Sequence, residues 1–352
     1  MDYKIFYIED LDPTSIIETL KSENFNITQY RPDISIDNII NKINKENPDI
    51  ILMDYKLTEE TKLIYCNAPT IASTLRTKYK DIKERPIILM STDNNIINLY
   101  KKDYTNQDLF DYVISKEKAL GNPDYFRKKC LSFYKAYRKI SDSDFNLNKI
   151  LGLDDNEADL IHSKIKIYLN KDIRVIYEYS RFIYEHLIRH SGLLIGEDIL
   201  SARLGVNKEC SSWNTLKSKL LHCKYTGIFS DIYDRWWMSK INLWWEKELN
   251  IQYPLRQYEA LERVQLLKNK LEINDLVLAK GSSENISSNY WTICKETKLP
   301  LDPFDGIELL DKEYKSWQDK EYISIEGALL NLDKYKKIIS ESDRKELRNF
   351  NS

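Results

Sequence analysis

The sequence predicts an α/β protein: a doubly wound, five-stranded parallel sheet in its first third, followed by a mostly α-helical remainder. Three observations carry this. Apolar runs at residues 4–8, 50–53, 87–90 and 112–114 each stop on a polar group: Glu9 and Asp10, Asp54, Ser91 and Thr92, and Ser115 and Lys116. Continuous apolar runs of that length read as strands covered on both faces, as in a parallel sheet. The stretches between them carry apolar residues at helical spacing, so strand and helix alternate.

The elements follow in order. Residues 13–23 place Ile16, Ile17 and Leu20 on one helical face, with Pro13 in a first turn where no amide donor is missed. Residues 25–30 read as the second strand. Residues 35–45 carry Ile36, Ile39, Ile40 and Ile43 as one apolar stripe. Ile71, Leu75 and Tyr79 mark a third helix, and Ile96, Ile97 and Tyr100 a short fourth. Residues 123–140 form an amphipathic helix with a basic face, the fifth of the set or an extension of it. Ser141-Asp142-Ser143-Asp144 is polar and turn-prone. The expected division is therefore 1–140, a linker at 141–150, and a mainly helical region at 151–352.

The polar groups that end the strands would meet at the sheet's carboxyl edge, where open α/β sheets place their chemistry. On four spaced positions, Glu9/Asp10, Asp54, Ser91 and Lys116, residues 1 to about 120–140 resemble the receiver domain of bacterial two-component response regulators, a flavodoxin-like fold. The resemblance implies a phosphoacceptor at Asp54, charged by a histidine kinase or phosphotransfer protein with the help of Mg²⁺. It implies that Asp10 and Asp54 bind the metal directly, Glu9 directly or through water, and the Lys56 backbone carbonyl as a further ligand. Lys116 and Ser91 would contact the phosphoryl oxygens. The chemistry suits these types: a carboxylate can form an acyl phosphate, and Mg²⁺ wants hard oxygen ligands.

Several positions depart from the family pattern. The segment from Lys56 to Pro69 is long and includes Thr58-Glu59-Glu60-Thr61. Thr92 stands where a small residue is usual and would modulate access to the phosphoryl group. Glu117 replaces a frequent proline. Tyr112, the candidate switch aromatic, lies four residues before Lys116, one further than expected. A receiver that binds metal but is rarely phosphorylated stays open as a reading.

The second half has no motif of known chemistry. Residues 195–238 have the cadence of a helix-turn-helix followed by a wing hairpin, and Arg203, Lys208, Trp213, Asn214, Lys217, Arg235 and Trp236 are its candidate DNA or partner contacts. The expected recognition helix carries no arginine, which argues against phosphate contact. Trp236, Trp237, Trp244 and Trp245 read as a buried cluster, with Trp237 spaced to share a helix face with Trp244 and Trp245. His186 and His190 are four apart without the acid companion of a zinc helix. Asp302 and Asp305 read as turn formers.

Net charge is −2, which gives no general pull toward nucleic acid or an anionic membrane. Cys66, Cys130, Cys210, Cys223 and Cys294 are scattered and fit reduced thiols. Acids at Asp2, Glu9 and Asp10 argue against a signal peptide, and no apolar run is long enough to span a bilayer. The expectation is a cytoplasmic response-regulator-like signalling protein whose phosphorylation controls an interaction or effector region, with a downstream protein and a second copy of the chain as candidate partners. A DNA-binding regulator acting through residues 195–238, and an enzyme with its site in the second half, are the alternatives.

Overall fold

The computed structural model describes residues 2–32, 35–57, 67–78, 82–103, 105, 108–170, 174–282 and 285–350. The chain forms two compact units, residues 1–183 with 227–232, and residues 184–226 with 233–352.

In the first unit, β1 (Tyr3–Ile8), β2 (Phe25–Tyr30), β3 (Ile50–Met53), β4 (Ile87–Ser91) and β5 (Tyr112–Ser115) form one sheet in the order β2-β1-β3-β4-β5. All neighbours are parallel. This order, with its switch point between β1 and β3, is the flavodoxin-like receiver fold. Alternation along each strand divides the core between the two faces. Phe6, Ile8, Ile51, Met53, Ile87 and Leu89 pack on one side against α2 (Ile36–Glu46) and α3 (Ala68–Thr77). Ile5, Tyr7, Ile50, Leu52, Ile88 and Met90 pack on the other with residues of α1 (Thr14–Leu20) and α6 (Pro123–Asp142).

The local rules explain the boundaries. The stripe of α2 buries Ile39, Ile40 and Ile43, and the helix stops at Asn47 in the left-handed conformation. α4 (Asp93–Asn95) starts on Thr92, whose hydroxyl accepts from the Asn95 amide, and runs on as a π-helical turn at Ile96–Tyr100. α6 begins with Pro123 behind the Asn122 cap. It is preceded by a separate short helix, α5 (Lys116–Gly121), so the long basic helix is the sixth rather than the fifth. Three of its basic residues are engaged within the unit: Lys129 lies 4.1 Å from the centre of the Tyr112 ring, Arg127 donates to the Leu20 carbonyl, and Lys135 pairs with Asp231 at 3.0 Å.

Residues 141–150 are not an extended linker. They hold the end of α6, a turn, and most of α7 (Leu147–Leu151), and the Ile150 carbonyl accepts from the Ile228 amide at 3.0 Å. α8 (Ser163–Leu169) and α9 (Ile176–Ile183) complete this unit. Glu84 caps α9 by accepting from the Ile176 and Tyr177 amides at 2.9 and 3.1 Å. A buried polar knot ties the sheet to the added helices. Asp111 accepts from Arg76 at 2.7 Å, from the Ile87 amide at 2.8 Å and from the Tyr137 hydroxyl at 2.9 Å, and the Arg76 guanidinium lies 3.6 Å from the centre of the Tyr177 ring.

The second unit begins with a short antiparallel strand pair around two helices. β6 (Leu194–Ile195) pairs antiparallel with β7 (Trp236–Trp237), Lys224 bridges Trp236, and α10 (Glu197–Leu204) and α11 (Trp213–Lys219) lie between them in sequence. Gly205 ends α10 at φ +72°, and a Cβ there would stand 2.7–2.9 Å from Ala260, so no other residue fits. Trp237 lies on β7, not on the helix of Trp244 and Trp245. That helix is α12 (Met238–Leu243) followed by a π turn at Trp244–Glu248. The cluster is nevertheless core: Trp236, Trp237, Trp244 and Trp245 are all buried. All seven tryptophans of the chain belong to this unit.

α13 spans Ala260–Leu271. Its Arg263 is fully buried and donates to the carbonyls of Leu255, Arg203 and Tyr290 at 3.1, 3.0 and 2.9 Å. Arg263→Leu would strip the Arg203 and Tyr290 carbonyls of this donor and leave the Leu255 carbonyl with only the Tyr258 amide at 3.4 Å. We expect it to cost about 3 kcal/mol or more, at about 1–3 kcal/mol for each unsatisfied buried group, read as a lower urea midpoint. The pairs β8 (Thr292–Ile293) with β9 (Pro300–Leu301) and β10 (Ile307–Glu308) with β11 (Tyr322–Ile323), and the helices α14 (Ile325–Leu330), α15 (Leu332–Tyr335) and α16 (Glu341–Phe350), close the unit.

Candidate functional site

Register brings the predicted residues together. Ile8 on β1 lies beside Met53 on β3, so Glu9 and Asp54 leave the sheet side by side, and the Asp54 amide bonds the Ile8 carbonyl at 3.0 Å. Ser91 lies beside Ser115, which puts Lys116 at the first position beyond β5. The result is a small buried cluster. Lys116 Nζ stands 2.6 Å from Glu9 Oε2 and 3.0 Å from Asp54 Oδ1. Ser91 lies near enough for its hydroxyl to favour the ionised Asp54 carboxylate, and the Lys56 amide donates to Asp54 Oδ2 at 3.1 Å. Asn95 Nδ2 donates to Ser91 Oγ at 3.2 Å. Asp10 is buried on the same edge, 1% exposed.

The electrostatics follow from burial. Loss of solvent raises the carboxyl pKa of Asp54, with the Lys116 ammonium pulling against it. Glu9 is raised too, by burial and then by the Asp54 charge, against the same ammonium. Lys116 is disfavoured by burial, yet Asp54 and Glu9 more than offset this and its pKa is raised. Glu9 and Asp54 share one ammonium, so with both carboxylates ionised the cluster is short of positive charge.

Glu9, Asp10 and Asp54 offer hard oxygens of the kind Mg²⁺ takes. Among the described residues, however, no three His, Cys, Asp or Glu side chains stand in a ready metal arrangement. The Lys116 ammonium lies between Glu9 and Asp54. The donor set fits a magnesium ion in chemistry. The segment 58–66 that follows Asp54, with Thr58-Glu59-Glu60-Thr61 and Cys66, lies outside the described residues, as does Tyr79.

Tyr112 does not belong to this cluster. It pairs with Ile88, three residues short of Ser91 on β4, and its ring stacks with Phe133 on α6. The position three before Lys116 is Val113, an aliphatic residue packed with the α2/α3 side of the core. Thr92 caps α4, so its hydroxyl already has a backbone partner. The residue missed by sequence reasoning is Tyr7. Its hydroxyl donates to Glu9 Oε2 at 2.8 Å. The signal was the spacing, because residues i and i+2 of a strand share a face.

Most candidate contacts in the second unit have internal partners. Arg203 is 2% exposed, donates to the Trp291 carbonyl and pairs with Asp319 at 2.6 Å. Lys208 pairs with Asp198 at 2.8 Å, and Lys217 and the Trp213 indole both reach Glu197, at 2.6 and 2.7 Å. Arg235 bonds the Ile188 and Asp234 carbonyls, and Trp236 is buried. Asn214 is exposed. Asp198 and Glu197 of α10 neutralise the two lysines, so these residues do not form the clustered cations that phosphate contact needs. Asp302 accepts from the Phe304 amide of its own turn, whereas Asp305 accepts from the distant Ile286 and Ser287 amides. No helix among the described residues is long and apolar enough to cross a membrane.

No family model matches the sequence, and no curated protein matches it. Among solved structures, the chain is similar to NtrX from Brucella abortus, at 15% identity and a TM-score of 0.32, over 41% of this chain and 30% of that one. It is also similar to the response regulator domain of Thermotoga maritima CheB, at 10% identity and 0.30, over 38% of this chain and 98% of that one. A third is the signal receiver domain of a modulated diguanylate cyclase from Desulfovibrio desulfuricans G20, at 14% and 0.29, over 38% and 98%. Likenesses of this size carry no argument about activity. By its own strand order and register, the N-terminal part of this chain has the receiver fold.

Proposed function

We propose that this chain is a response-regulator-like signalling protein whose Asp54 accepts a phosphoryl group from a histidine kinase or phosphotransfer partner. The observation that carries the reading is the meeting of Asp54 with Lys116, Ser91 and Glu9 on one buried edge. An Asp54 oxygen would form a bond to phosphorus while the phosphorus–nitrogen bond of the donor breaks and the imidazole leaves. Lys116 would turn its ammonium from the carboxylate to the phosphoryl oxygens, and Ser91 would donate to one of them. Asp10 and Asp54 would hold a magnesium ion directly, Glu9 through water, with the Lys56 carbonyl as a further ligand. When bound, that ion supplies charge neutralisation for the transferring group. The added negative charge would then bias a two-state domain and control the output of the C-terminal unit through a protein partner.

The test is incubation with acetyl phosphate and Mg²⁺, read by intact mass. We expect one phosphoryl adduct on the native chain and none on Asp54→Asn. An unlabelled native chain that still binds Mg²⁺ would mark a domain that senses metal without being phosphorylated, against this proposal.

The winged-helix-like strand order of β6, β7 and Lys224 favours a second reading, a transcriptional regulator. The internal ion pairs of Lys208 and Lys217 weigh against it. Binding to random duplex DNA that weakens steeply with salt would promote it.

A further inference from the structure

We propose that Tyr7 is a positioning residue, whose hydroxyl pins Glu9 so that Glu9 in turn holds the Lys116 ammonium beside Asp54. The inference rests on the phosphoacceptor reading and goes one residue deeper into the same site. Three donors converge on Glu9. Tyr7 Oη and Lys116 Nζ reach the same oxygen, Oε2, at 2.8 and 2.6 Å, and the Leu11 amide reaches Oε1 at 3.3 Å. Both oxygens therefore have protein partners, and the carboxylate is 1% exposed. A carboxylate engaged on both oxygens is a poor direct ligand, which makes Glu9 the anchor of Lys116 and leaves Asp10 and Asp54 to a metal.

The ring of Tyr7 packs in the core with Ile5, Leu20, Phe25 and Phe126, where phenylalanine would fill the same space. What distinguishes tyrosine there is the hydroxyl, and that hydroxyl bonds Glu9. Without it, Glu9 Oε2 would keep Lys116 alone and Oε1 the longer bond from the Leu11 amide, so the carboxylate would be held less firmly. The ammonium would then be shared between a mobile carboxylate and Asp54. Its exchange with solvent would quicken, and the carboxylate would be released toward a cation.

The experiment uses the full chain and a readout independent of phosphorylation: the ¹⁵Nζ ammonium resonance of Lys116, assigned by its loss in Lys116→Met, with Mg²⁺ affinity measured by calorimetry. In metal-free native protein the resonance should be visible and slowly exchanging. In Tyr7→Phe we expect its exchange to rise and Mg²⁺ to bind more tightly, each by about tenfold, the order of one hydrogen bond to a charged group. A purely structural hydroxyl would lower the melting temperature and move neither. In the Glu9→Gln background, Tyr7→Phe should add nothing to the ammonium exchange. Unchanged exchange and affinity in Tyr7→Phe would overturn the proposal. If Tyr7→Phe does not fold, Glu9→Gln alone decides: undiminished protection of the ammonium overturns it, and lost protection supports it. Failure of acetyl phosphate to label Asp54 would sink the phosphoacceptor reading, while these ammonium measurements would still report on Tyr7.

Discussion

Replacing Lys116 with methionine in metal-free protein is expected to lower stability by about 3–5 kcal/mol, the cost of removing one partner from a buried ion pair. The side chains involved are 15% exposed for Lys116, 1% for Glu9 and 7% for Asp54, so solvent screens them little. Methionine keeps the length of the lysine stem and removes only the charge. Two carboxylates are then left facing one another in low dielectric. Saturating Mg²⁺ should restore a large part of the loss, because a cation can replace the ammonium.

The pH dependence has a definite sign. Glu9 and Asp54 have folded pKa values raised above the ordinary carboxylate range. For such acids the stabilising contribution is present at low pH, where they are protonated, and is lost as pH rises through the raised values. Lys116 is raised in the opposite role, so its contribution holds below the ordinary lysine value of about 10.4 and fades only above it. Lys116→Met should therefore gain stability on acidification from pH about 7.5 toward about 5, more steeply than the native chain. Urea unfolding at both pH values checks this. Equal stabilities of variant and native protein at neutral pH without metal would show that the carboxylates do not depend on the ammonium.

The second large effect is expected at Asp111. Asp111→Ala should cost about 4 kcal/mol, since it strips the charge partner from Arg76 and leaves the Ile87 amide and the Tyr137 hydroxyl without their acceptor. Arg76 is held on several sides: it also donates to the carbonyls of Leu109 and Arg85 and to the Tyr137 hydroxyl. Burial opposes its charge, but Tyr137 and Asp111 hold its pKa above the ordinary value. The double variant Arg76→Met/Asp111→Leu should be milder than Asp111→Ala, because a buried pair replaced by apolar groups leaves no stranded charge. Unfolding followed by far-ultraviolet circular dichroism checks the order. A double variant worse than the single one would mean that the knot contributes mainly through its bonds to backbone carbonyls.

The sheet and its acidic edge were legible because their signals are local. A parallel strand announces itself as an unbroken apolar run, and the residue that ends the run lands at the carboxyl edge whatever else the chain does. Glu9, Asp54 and Ser91 are each one step from such a run, and Lys116 is two. What escaped were partnerships between residues far apart or hidden by their type. Arg203 looked like a surface cation until Asp319, well over a hundred positions away, proved to neutralise it. Tyr7 read as an apolar filler because its ring is one, and only the geometry shows where the hydroxyl goes. Trp237 fits a helical spacing to Trp245 but pairs as a strand with Leu194, a choice made by β6 and not by its own neighbours. The linker expected at 141–150 was judged by polarity alone, while Ile150 joins the core of the first unit.

The distribution of indole side chains gives this chain an unusual optical property. Every tryptophan lies between residues 213 and 317, in the second unit, and the unit that carries Asp54 has none. Emission excited at the red edge of protein absorbance therefore reports on the C-terminal unit alone. A change in that emission when Asp54 is charged, absent in Asp54→Asn, would be direct evidence of a message received at a distance, with no label attached to the protein.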